Sequence, residues 1–161
     1  MIVVFVAAAL SIAGLNLSTQ NLKGESRVFP ADVAQRRAVV VVTFSKSASN
    51  EASEWTRKLR ENQQKLTASI YQIAILEDVP ALFRSFVISA LRRAIPRNLH
   101  ENFWIATSSS REWQEHTGSR SLDEAHVFLL EDRTQITWRF HGAFSESGLH
   151  SLLVALSAQK N

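Results

Sequence analysis

The sequence predicts an α/β fold, a central four-stranded mixed sheet with helices on both faces. Three observations predict it. Ala38–Phe44 (AVVVVTF) is a charge-free, β-branched run, the pattern of a central strand covered on both sides. Two segments of helical apolar spacing follow and alternate with short apolar runs, which calls for parallel strands joined by helical crossovers. Near the end, Ala125–Leu130 and Gln135–Phe140 are separated only by Glu131–Thr134, so they pair as an antiparallel hairpin.

The elements follow in order. Met1–Gly14 is apolar throughout and falls short of the roughly 20 residues that span a bilayer. It resembles the h-region of a signal peptide, with Ser11-Ile-Ala13 meeting the small-x-small rule, although no positive n-region precedes it. The other readings are a buried N-terminal strand or a gene start set too far downstream. The first reading implies an exported or periplasmic protein, with an organelle as the alternative, and membrane association only through this segment if it is kept. Residues 15–37 form a lead-in loop or small hairpin that turns at Gly24. Residues 38–158 make up the domain proper, opening with the strand Ala38–Phe44.

A helix is expected over Glu51–Lys65, capped by Ser49 or Asn50. Glu51 and Glu54 stand in its first turn, and Ala52, Trp55 and Leu59 face inward. Ser69–Leu76 is the second strand. Pro80 suits the start of a helix over Ala81–Ile95, in which Leu82, Phe83, Phe86, Val87, Ala90 and Leu91 recur at helical spacing, and Pro96 stops it. Phe103–Ala106 is a short strand or extended segment, and Ser109–His116 a short helix ended at Gly118. In Gln135–Phe140, Trp138 alternates with Ile136 and Phe140, placing these three on one core face. Ser145 caps a last helix over Glu146–Ala158, with Leu149, Leu152, Leu153 and Leu156 inward. The order β-α-β-α, a linking segment, then β-β-α is the thioredoxin-like topology.

Composition excludes several chemistries. The 161 residues contain no cysteine, so disulfide scaffolds, CxxC redox motifs, cysteine-based zinc sites and cysteine nucleophiles are ruled out. The net charge is +3 and the pI about 9.7, but no run of five like charges points to nucleic acid. The five histidines show no HxH or HExxH spacing, so no metal is expected. There is no GxSxG elbow and no glycine-rich phosphate loop among five glycines. No cofactor is expected.

Leu91-Arg-Arg-Ala-Ile-Pro96, with His100 and Phe103-Trp104, resembles the helix-end signature of the mitochondrial ATPase-complex assembly factor family of the subunit-ten type. So does Ile136-Thr-Trp-Arg-Phe-His-Gly142-Ala, with Glu146 and Leu149 downstream. The likeness covers residues 38–156 and extends to bacterial thioredoxin- and peroxiredoxin-like relatives. It implies a thioredoxin-like fold used as an assembly chaperone for a membrane subunit. The chain lacks an Arg-rich transit segment, which favours a bacterial exported relative. Asn21–Asp32 also looks like the N-terminal hairpin of peroxiredoxins. In that group the redox cysteine follows the first central strand, where this chain has Ser45-Lys-Ser-Ala-Ser-Asn50, and serine lacks the nucleophilicity of a thiolate. The proline that precedes the third strand in most thioredoxins is replaced by Ala125-His126.

The expected function is therefore a non-enzymatic module that binds another protein, such as a membrane-protein subunit. Arg92, Arg93, Arg97 and His100 crowd the end of the second helix, and Trp138 and Arg139 are expected beside them as the rest of the contact. Cations also suit a helix C-terminus electrostatically, and a strand tryptophan is more often core than contact. The alternatives are a cysteine-independent enzyme or small-ligand site using Ser47 or Ser49 with a nearby His or Arg, and a degenerate peroxiredoxin relative that stabilises a partner domain or oligomer.

Overall fold

The computed structural model describes residues 9–158. Its strands are β1 (Leu10–Ser11), β2 (Leu17–Asn21), β3 (Ser26–Phe29), β4 (Arg37–Thr43), β5 (Ser69–Ile75), β6 (Phe103–Ala106), β7 (His126–Glu131) and β8 (Gln135–His141). The helices are α1 (Ser49–Glu61), α2 (Gln63–Leu66), α3 (Ala81–Ala94), α4 (Ser110–Thr117) and α5 (Glu146–Ala158). The apolar N-terminal segment lies partly outside the described residues. Within them, Leu10 and Ser11 pair with Ile136 and Gln135 of β8, and Ile12 is buried.

The sheet corrects the four-stranded expectation. Eight strands run in the order β1-β8-β7-β4-β5-β6-β2-β3. The four predicted strands, β4, β5, β7 and β8, sit side by side in it. β6 extends them, parallel to β5 from Gln72↔Phe103 to Ile75↔Ala106. The β2–β3 hairpin then docks antiparallel on β6 through Gln20↔Ile105 and Asn21↔Trp104. The added strands are two to five residues long. Four of the five residues of β2 (LSTQN) are polar, so its alternation carries a weak hydrophobic signal.

Strand order dictates where the helices lie. The chain steps from β4 to β5 to β6 in one direction, and right-handed crossovers place α1 and α3 on the same face. α4 returns from β6 to β7 across β4 and covers the opposite face. One core layer joins alternate residues of β4 and β7 (Val39, Val41, Val127, Leu129) to Trp55 and Leu59 of α1 and to Leu149, Leu152 and Leu156 of α5. The other joins Val40, Val42, Phe128 and Leu130 to Phe29, Trp104 and Trp113. Covering both faces is why β4 is buried from its second residue to its last.

Two sequence expectations fail for local reasons. Leu130 pairs with Ile136 while Leu129 pairs with Trp138, so Thr137 is an extra, bulged residue. The bulge moves Ile136 to one core layer and leaves Trp138 and Phe140 in the other; the three do not share a face. The second failure is α3. No residue of this 14-residue helix is buried. Ile88 and Leu91, with Ile95 beyond the helix, lean on Leu22, Ala74, Phe103 and Ile105, but Leu82, Phe83 and Phe86 are 89%, 60% and 69% exposed. The apolar spacing of α3 wraps too far round the helix for one face to bury.

Candidate functional site

The end of the sheet where β4 stops and β7 starts gathers several polar groups. After β4, the chain turns through Phe44 and Ser45 into a short 3-10 turn, Lys46–Ala48, before α1. Ser45 and Ser47 hold their hydroxyl oxygens 2.7 Å apart. Ser45 Oγ donates to the Leu122 carbonyl at 2.8 Å, and Ser47 Oγ to Asp123 Oδ1 at 3.0 Å. Each hydroxyl has one proton, so two of these three contacts are hydrogen bonds at any time. The serines thereby pin the loop before β7 to the loop after β4.

Ala125, immediately before β7, is closed in the same way. Its N–H donates to Glu51 Oε2 of α1 at 2.9 Å, and its carbonyl accepts from the Gly142 N–H at 2.9 Å. A proline at this position would have no N–H to give Glu51. Trp55 Nε1 of α1 donates to the Gly142 carbonyl at 3.0 Å, tying the end of β8 into the same knot. Gly142 has φ +102°, a left-handed conformation that favours glycine.

Two histidines flank the knot. His126 is buried, with its ring edge-on to Phe44 at 5.5 Å and stacked on Phe128 at 6.4 Å. Its Nε2 lies 2.6 Å from the Ser121 carbonyl, which fixes that nitrogen as the N–H donor. Burial pushes the His126 imidazole below its ordinary range, and the Ser121 hydrogen bond opposes that shift. His141 is exposed and pairs through Nδ1 with Glu124 Oε2 at 2.9 Å. Among the described residues no hydrogen bond links either histidine to Ser45 or Ser47, so the arrangement has no serine–histidine dyad. Among the same residues, no cluster of metal-ligating side chains occurs.

The predicted contact residues do not form one surface. Arg92 Nε donates to the Leu22 carbonyl at 2.9 Å and fastens the α3 end to the β2–β3 hairpin, while His100 Nε2 bonds the Ile95 carbonyl at 2.8 Å and ties the turn after α3 back to the helix end. Arg93 and Arg97 are exposed and form no ion pair among the described residues. Trp138 is only 7% exposed and gives its indole N–H to Ser151 Oγ of α5 at 2.8 Å. Arg139 Nη1 donates to the Thr117 carbonyl at the end of α4 at 2.7 Å, close over Gly118. α3 lies over β5 and β6, and β8 is four strands from β6, about 19 Å at ordinary strand spacing. The structure therefore leaves Arg93 and Arg97 as the available pair and places Trp138 in the core.

Asp123, Glu124 and the Glu51–Ala125 bond escaped the sequence reading. Glu51 looks like a first-turn helix acid. The signal for Asp123 and Glu124 was their place directly before a predicted strand, where loop side chains meet the preceding strand ends.

No family model and no curated protein matches this sequence. Solved structures do. An exposed lipoprotein thioredoxin from Streptococcus pneumoniae is 9% identical with a TM-score of 0.57, over 86% of this chain and 98% of its own. BsSco, a member of the Sco family of cytochrome c oxidase assembly proteins, is 10% identical with a TM-score of 0.59, over 94% and 95%. A peroxidoxin from Mycobacterium tuberculosis is 12% identical with a TM-score of 0.57, over 96% and 100%. The fold is thioredoxin-like. At these identities the likeness speaks to fold alone, and nothing in the comparisons supports the ATPase assembly-factor family. Within this thioredoxin-like domain, the turn after β4 carries serines in place of any thiol.

Proposed function

We propose that the chain is a non-catalytic thioredoxin-like module that binds another protein, as an assembly or chaperone factor for a membrane-protein subunit. One observation carries the reading: the strand end at Ser45, Ser47 and Ala125 is closed by the chain's own Leu122, Asp123, Glu51 and Gly142. Groups that would meet a substrate there are spent on holding loops together. The absence of cysteine from the sequence removes thiol chemistry from the same place. The assembly reading is supported by the resemblance of Leu91–Pro96 and Ile136–Gly142 to an assembly-factor family, and BsSco, which shares the fold, belongs to a family of assembly proteins. An extracytoplasmic placement is supported by the apolar Met1–Gly14, and the pneumococcal neighbour is itself an exposed lipoprotein. The contact is assigned to Arg93 and Arg97, which the fold leaves unused.

Capture from a detergent-solubilised membrane extract tests this, comparing the intact chain with R93A/R97A and with S47A/D123N. The expected result is one specific membrane protein held by the intact chain and by S47A/D123N, and lost with R93A/R97A. Loss with S47A/D123N alone would move the site to the strand end and favour the small-ligand or enzymatic alternative. No specific capture by the intact chain would overturn the protein-binding reading.

A further inference from the structure

We propose that the outward face of α3 docks on an anionic lipid bilayer, with Leu82, Phe83 and Phe86 entering the interface and Arg93 and Arg97 held against lipid phosphates. The proposal goes beyond the protein-binding reading and stands without it, since a protein-free bilayer would suffice.

Exposure is the first observation. Five large hydrophobic residues are exposed among the described residues, and three of them, Leu82, Phe83 and Phe86, lie on adjacent turns of α3. Together they present roughly 400 Å² of apolar surface, the size at which an exposed patch on a soluble domain usually has a use. The other long helices hide most of their large apolar side chains: α1 buries Trp55 and Leu59, and α5 buries Leu149, Leu152 and Leu156 and exposes a single one, Val154.

Geometry is the second. At about 100° per residue, Leu82, Phe86 and Arg93 fall within about 40° of one another, while Leu91, which packs inward, lies about 160° away. The helix thus presents bulky apolar groups outward in its first half and a cation in line with them in its last turn. Arg97 follows just past the helix end.

Charge selects the occupant. From Val79 to His100 the chain has four arginines, Arg84, Arg92, Arg93 and Arg97, and no Asp or Glu. A second copy of this chain would set one arginine stretch against another, and like charges across an interface count against self-association. An anionic lipid surface offers the opposite charge to Arg93 and Arg97 together with hydrocarbon for Leu82, Phe83 and Phe86. An apolar helix face with flanking cations is the physical pattern of an interfacial helix. The site is also a convex ridge, suited to a deformable surface more than to a pocket on a rigid partner.

Flotation of the full chain with vesicles tests the proposal, using phosphatidylcholine alone and phosphatidylcholine mixed equally with phosphatidylglycerol. The apolar N-terminus is common to every variant, so differences between variants report on α3. The intact chain is expected to float with the anionic vesicles, and less so at high salt. L82S/F83S/F86S is expected to stay in the soluble fraction, and R93Q/R97Q to partition roughly thirty-fold more weakly, at about 1 kcal/mol per arginine. All three positions are exposed, so an unchanged circular dichroism spectrum and melting midpoint should certify the apolar variant as folded. Equal flotation of all variants would assign the binding to the N-terminus and overturn the proposal. No flotation of the intact chain would overturn it too, and light scattering showing an α3-dependent dimer, or detergent capture dependent on Leu82, Phe83 and Phe86, would then name a copy or a protein as the occupant. Since the vesicles contain no protein and the detergent extract no bilayer, failure here and failure of the protein-binding reading are separate events.

Discussion

His126 shows how one residue can look functional and be structural. A histidine at the start of a central strand, near two serines and a second histidine, invites a catalytic reading. Its partner is instead the Ser121 carbonyl, and Phe44 and Phe128 enclose its ring. Burial holds its folded-state pKa below the ordinary value; His141 acts in the same direction, while the Ser121 hydrogen bond, Glu124 and Glu51 act against it. The sign of the pH effect follows. Below about pH 6.5 the unfolded chain protonates this histidine while the folded chain does not, so the stability it contributes is present above that pH and is lost as pH falls towards the folded value. His126→Gln keeps a donor for Ser121 and removes the titration. The fall in melting temperature between pH 7 and pH 5 is expected to be shallower in that variant than in the parent, and an equal slope would show that the imidazole does not titrate differently on folding.

The elements divide by how much of their burial the sequence announces. β4 was legible because five consecutive buried positions, Ala38–Val42, are apolar, and α1 because Trp55 and Leu59 fall on one face. β8 misled because a single bulged residue, Thr137, reverses the alternation; no feature of Ile136-Thr-Trp138 marks the bulge. α3 misled because spacing records which residues are apolar and not whether a layer exists to cover them. The same contrast decides which predicted contact residues matter for stability. Trp138→Ala removes a buried indole and its bond to Ser151 and is expected to cost about 3–5 kcal/mol in a denaturant titration. Arg93→Ala and Arg97→Ala touch no packed group and are expected to stay within about 0.5 kcal/mol. A large loss from either arginine would mean that it supports the fold and is not a free contact.

On the scale of the whole molecule, topology separates the exposed face of α3 from the closed strand end. The order of β4, β5 and β6 puts α3 over one flank of the sheet, while the loops after β4 and before β7 meet at a strand end beneath α1. The thioredoxin-like arrangement was readable from element order, and the lack of thiol chemistry from composition. β2 and β3 pair locally within the segment read as a loop or small hairpin; what was harder to read is how β1 and that hairpin join the sheet, because this depends on contacts distant in sequence, Leu10 with Ile136 and Gln20 with Ile105. The closed strand end was not readable either, because Leu122, Asp123 and Glu51, which hold Ser45, Ser47 and the Ala125 N–H, stand 77, 76 and 74 positions from them in sequence. The proposed non-catalytic function rests on that closure, and amide hydrogen exchange at Ala125 measures it. Slow exchange in the parent, accelerated by Glu51→Ala with β4 amides unchanged, is the predicted result. Fast exchange of the Ala125 amide in the parent would contradict it, since the strand end would then be open to solvent and available to a substrate.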